Sequence, residues 1–155
     1  MLIKKTQILI LIIIVLLGCK KKSATPVKTN CTISKASTAP VNYTILSNSI
    51  TFFPLNTVGG STYVPYIDPS TGIKGIIIYR ISQNQFIAFE RSCTYDGCDN
   101  ARSIVWSQPG STTCKDSICG SIFNLLDGAV QKGPANIPLF QYHINWDGSK
   151  LNITN

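Results

Sequence analysis

The sequence predicts an all-β domain of antiparallel strands, and three observations predict it. Short runs rich in Val, Ile, Thr, Tyr and Phe follow one another from Val41 to the C-terminus. The later runs are split by two Asp-Gly pairs, Asp127-Gly128 and Asp147-Gly148, where hairpins turn. No long stretch after the first 18 residues repeats its apolar positions at the helical period.

The strands are expected in the following order. Val41-Asn42-Tyr43-Thr44-Ile45-Leu46 begins in alternation, as a strand with one face on a core. Thr62-Tyr63-Val64 is short and β-prone. Gly75 to Ile81 is almost continuously apolar, the mark of a strand covered on both faces. Ser82-Gln83-Asn84 makes a polar turn into Gln85-Phe86-Ile87-Ala88-Phe89, and Ile104-Val105-Trp106 follows. The final hairpin is expected to pair Leu139–Trp146 with Ser149–Thr154 around Asp147-Gly148. Trp106 and Trp146 suit packing in the core or at its rim.

The N-terminus belongs to a different regime. Lys4 and Lys5 precede an unbroken apolar run of 10 residues, Ile8 to Leu17. A spanning helix needs about 20 apolar residues, so the run suits a signal-peptide core. Leu16-Leu17-Gly18-Cys19 follows at once and resembles the bacterial lipobox, whose cysteine is acylated and becomes the mature N-terminus. The expected organisation is a lipoprotein signal peptide over 1–18, a lipidated tether over 19–40 and a β domain over 41–155. Membrane lipid is the expected partner, through acylated Cys19. The domain is then held outside the cytoplasm, on the inner or the outer membrane. Several acyl chains make such an anchor effectively permanent, since each buried CH₂ adds about 0.8 kcal/mol.

Charge follows the same division. The chain carries +7, but from Val41 onward 7 basic residues balance 7 acidic ones. The excess lies in Lys4, Lys5, Lys20, Lys21, Lys22, Lys28 and Lys35. A basic nucleic-acid-binding face on the domain is therefore not expected. The tether lysines suit either anionic head groups or solvent. Residues 20–40, made largely of Lys, Ser, Thr, Ala and Pro, suit a flexible spacer.

Six cysteines are present. Cys19 is assigned to lipid and Cys31 lies in the tether, with no partner evident from sequence. The other four form two pairs, Cys93-x4-Cys98 and Cys114-x4-Cys119, each in a loop-like stretch after a β-prone run. Two loops meeting at one point is the expected arrangement.

These loops resemble those of the Rieske iron–sulfur fold. Ser92-Cys93-Thr94-Tyr95-Asp96-Gly97-Cys98 is similar to the first ligand loop, C-T-H-x-x-C. Cys119-Gly120-Ser121-Ile122-Phe123 is similar to the end of the second, C-P-C-H-G-S-x-F. Leu126-Asp127-Gly128-Ala129-Val130 resembles the next hairpin, and Gly133-Pro134-Ala135 with Pro138-Leu139 resembles the proline loop. The resemblance implies stacked antiparallel sheets with the two Cys-bearing loops at one tip. It is nearest to Rieske-like lipoproteins of the Bacteroidetes.

The departures decide the functional expectation. A Rieske [2Fe–2S] centre takes two Cys and two His, and this chain has a single histidine, His143, outside both loops. Tyr95 stands at the first histidine position. If Cys119 matches the second histidine, Asp116 stands at the second cysteine position, leaving Cys93 as the one retained ligand. No [2Fe–2S] cofactor is therefore expected. In an oxidising compartment the four cysteines are expected as disulfides, each bridge contributing roughly 3 kcal/mol. The resemblance implies Cys98 bridging to the second loop, which favours Cys93–Cys119 with Cys98–Cys114. Spacing alone leaves all three connectivities open. The alternative is a metal site in which Cys93, Cys98, Cys114 and Cys119 hold zinc or an iron–sulfur cluster.

Remaining residues carry weaker signals. Asp96, Asp99 and Asp116 lack the spacing of a calcium loop and suit turns. His143 sits in an alternating strand, where surface placement is usual. Phosphate-cradling Gly-rich loops, H-E-x-x-H and G-x-S-x-G are absent. The functional expectation is a non-enzymatic, membrane-anchored binding or structural module whose protein or ligand partner the sequence does not identify. The alternative is an electron carrier or metal-binding protein with cysteine ligands.

Overall fold

A computed structural model describes residues 39–65, 73–95 and 104–155. The expectations for the signal segment, the tether, Cys19, Cys31, Cys98, Asp96 and Asp99 lie outside them. Ten strands, β1 to β10, and one short 3-10 helix make up the described chain. The all-β class of antiparallel sheets expected from sequence is the class observed.

One sheet has six strands in the order β1-β10-β9-β4-β3-β2. Its members are β1 (Asn42–Leu46), β2 (Ser61–Val64), β3 (Ile76–Ser82), β4 (Gln85–Glu90), β9 (Gln141–Trp146) and β10 (Lys150–Thr154). The other has four, β5 (Val105–Ser107), β6 (Thr113–Asp116), β7 (Ile122–Asn124) and β8 (Val130–Lys132), in chain order. The expected last hairpin forms, with Trp146 opposite Leu151 and Ile144 opposite Ile153.

The apolar run of β3 has a direct structural cause. Successive strand residues face opposite sides of a sheet, and both sides of β3 and β4 are covered. Ile76, Ile78, Phe86 and Ala88 join one core with Val64, Leu55, Leu151 and Ile153. Ile77, Tyr79, Ile87 and Phe89 join a second, with Val105 and Phe123 of the smaller sheet, the turn residue Leu125 and the loop residue Leu139. Two cores thus share one central hairpin.

The helix Ile50–Asn56 was not expected from the periodicity. It buries Leu55 against the first core and leaves Ile50 and Phe53 exposed. Both Asp-Gly turns put only the glycine at positive φ, +74° at Gly128 and +100° at Gly148. The aspartates brace these turns instead: Asp127 Oδ1 accepts the Ala129 N–H, and Asp147 Oδ1 accepts those of Ser149 and Lys150.

Candidate functional site

The second core ends at a tip where the chain leaves β4 and where it turns from β6 to β7. Cys93 lies just past β4 and Cys119 in the β6–β7 turn, and their sulfurs are 3.6 Å apart. Asp116, at the end of β6, completes the group. One ligand atom from each of Cys93, Asp116 and Cys119 lies within 4.8 Å of the others. Cys93 and Asp116 are buried and Cys119 is half-buried.

Local hydrogen bonds explain why these residues converge. Asp116 Oδ1 accepts the backbone N–H of Ile118 at 2.6 Å and that of Cys119 at 3.2 Å, forming a side-chain-braced turn. The Gly120 N–H returns to the Asp116 carbonyl and the Asp116 N–H to the Ser121 carbonyl. Gly120 takes φ +79°, the left-handed region where a side chain is strained. Ser121, fully buried, joins the turn to the proline loop, since its Oγ accepts both the Cys119 thiol at 3.0 Å and the Ala135 N–H at 2.9 Å. On the other side Thr94 Oγ1 donates to the Ile137 carbonyl. The proline loop therefore holds both cysteine segments in place.

Each sulfur also receives a backbone amide. The Ser121 N–H donates to Cys119 Sγ at 3.4 Å, and the Tyr95 N–H to Cys93 Sγ. Burial raises the Cys93 thiol well above the ordinary range, and the Asp116 carboxylate beside it adds to the rise. The half-buried Tyr95 side chain packs against the second core.

The structure corrects the expectation for Cys114. It is not on a loop. It lies in β6, 1% exposed, and its sulfur joins the hydrophobic core rather than the tip group. The physical reason is strand alternation: Cys114 and Asp116 are both inward-facing residues of β6, with Lys115 exposed between them. Only Asp116 is near enough to the strand end to reach Cys93. Burial pushes the Cys114 thiol up to about 12, so it remains an inert protonated thiol. No disulfide occurs among the described residues. The 3.6 Å between Cys93 and Cys119 exceeds the about 2.05 Å of an S–S bond.

A Rieske cluster does not fit this donor set. Among the described residues Cys93, Asp116 and Cys119 offer two sulfurs and a carboxylate, with no imidazole for the second iron. His143 is exposed on β9, opposite Thr154.

Three residues that the sequence reading did not single out help hold the tip. Ser121 is one. Glu90, at the end of β4, is 3% exposed and accepts the Tyr142 hydroxyl and the Lys74 and Ser92 N–H groups. Arg91 is buried between aromatic rings, its guanidinium 4.3 Å from the Tyr63 centroid and 4.1 Å from that of Trp106. Adjacent Glu and Arg at the end of an apolar strand were the available signal, because charges entering a core need partners.

The chain matches no family model and no curated protein. Among solved structures it is similar to a ferredoxin of Sphingomonas yanoikuyae B1, at 16% identity and a TM-score of 0.38, over 52% of this chain and 74% of that one.

Proposed function

We propose that this chain is a lipid-anchored extracytoplasmic protein whose Rieske-like domain carries no [2Fe–2S] cluster and acts as a binding or structural module. The observation that carries this reading is the composition of the tip. The positions that match the four ligands of the motif are Cys93, Tyr95, Asp116 and Cys119, and none is histidine. The N-terminal apolar run and Leu16-Leu17-Gly18-Cys19 support the anchor. The alternative, an electron carrier with four thiolate ligands, requires Cys114 at the tip, whereas the residues whose ligand atoms converge there are Cys93, Asp116 and Cys119.

Two measurements test this reading. The protein purified from its membrane is expected to be colourless, with sub-stoichiometric iron and no reducible paramagnetic signal. A two-iron centre with nitrogen ligands, supplied for example by a dimer, overturns it. Cys19→Ser is expected to abolish acylation, read as the loss of lipid mass from the N-terminal peptide. Retained acylation in that variant removes the anchor assignment.

A further inference from the structure

We propose that Cys93, Cys119 and Asp116 form a three-ligand site for one zinc-class divalent cation, with a fourth position left for water or a bound ligand. This rests on the cluster-free reading above and names what the tip binds.

Geometry carries the proposal. A tetrahedral zinc ion with Zn–S bonds of about 2.3 Å sets two ligating sulfurs about 3.8 Å apart, and a carboxylate oxygen about 3.5 Å from each. The sulfurs stand at 3.6 Å, and the carboxylate closes a triangle with every side within 4.8 Å. This is ligand spacing. A disulfide needs the sulfurs to close by about 1.5 Å.

The surroundings agree with that spacing. The Tyr95 and Ser121 N–H groups, one on each sulfur, are the outer-shell donors that steady a metal-bound thiolate. The Ile118 and Cys119 N–H groups orient Asp116 through Oδ1. Two thiolates and a carboxylate carry three negative charges, more than a divalent cation neutralises, and the four amide donors spread the remainder. On ligation Cys93 and Cys119 each release a proton to solvent. No electron is transferred, so no oxidant or reductant is needed. Two sulfurs favour zinc over magnesium or calcium, which take oxygen ligands.

The test uses the full mature chain, reduced and titrated with Co²⁺, then with Zn²⁺. The expected result is one Co²⁺ per chain, with thiolate-to-cobalt charge-transfer and tetrahedral d–d bands that Zn²⁺ abolishes. Cys93→Ser, Cys119→Ser and Asp116→Asn are expected to weaken binding by at least about tenfold, the lower bound for losing even an outer-shell partner. Cys114→Ser is expected to retain it, and circular dichroism of each metal-free variant checks folding. Absence of cobalt binding by the folded, reduced protein overturns the proposal while leaving the cluster-free reading intact. Equal loss in Cys114→Ser and Cys93→Ser overturns it in favour of a four-thiolate site. A Cys93–Cys119 bridge in native material alkylated before reduction overturns it in favour of a disulfide. A native two-iron centre instead removes the underlying reading.

Discussion

Glu90→Ala is expected to lower stability by about 3 kcal/mol, whereas Glu90→Gln costs about 1 kcal/mol or less. Glu90 Oε2 accepts the hydroxyl of Tyr142, and Oε1 accepts the N–H groups of Lys74 at 2.9 Å and Ser92 at 3.1 Å. Alanine strips all three donors of their acceptor, and Tyr142 is only 3% exposed. A buried group left unsatisfied costs about 1–3 kcal/mol. Glutamine keeps one carbonyl oxygen for the two amides and offers its NH₂ to the tyrosine oxygen. Urea unfolding distinguishes the variants, and equal losses in both show that charge, not hydrogen bonding, matters at this position.

The same carboxyl sets a pH dependence. Burial raises its pKa above the ordinary carboxylate range, and the three hydrogen bonds only partly oppose the rise. The folded state therefore keeps a proton at pH values where the unfolded chain has lost it. This stabilising contribution is complete below the unfolded pKa of about 4.3. It is lost as pH rises through the higher folded value, so stability from this group falls with pH across that window. Glu90→Gln is expected to flatten that slope.

Gly128→Ala is expected to cost about 3 kcal/mol, against about 1–2 kcal/mol for Gly148→Ala. Both glycines follow an aspartate in a hairpin turn and both hold positive φ. A Cβ at Gly148 meets nothing within 4 Å, so alanine there meets backbone strain alone. A Cβ at Gly128 comes to 2.7 Å from Phe89 Cε1 and 3.2 Å from the Leu139 carbonyl oxygen. Phe89 is fully buried in the second core and cannot retreat without opening a void. Calorimetry on the pair isolates packing from backbone strain. Equal losses show that the clash relaxes at no cost.

This glycine pair illustrates what could be read from the chain alone. Asp-Gly marked both turns because positive φ is a local requirement. Nothing local distinguished them, since the collision with Phe89 joins residues far apart in sequence. The same division runs through the strands. The apolar run over Gly75–Ile81 was legible because burial of both faces removes alternation. The helix Ile50–Asn56 was not, because a single buried residue, Leu55, leaves no periodic pattern.

At the tip, residue types alone established that one chain cannot supply two histidines to a cluster, because ligand supply is a matter of counting. They also placed Cys93 and Cys119 on segments expected to meet. Folding decided which donors share a point. Pleating in β6 carried Cys114 into the core and left Asp116 beside the two sulfurs, although spacing had made the cysteines look equivalent. Chemistry follows the identity of side chains, but coordination follows their separation in space, and only packing of the two sheets sets that separation.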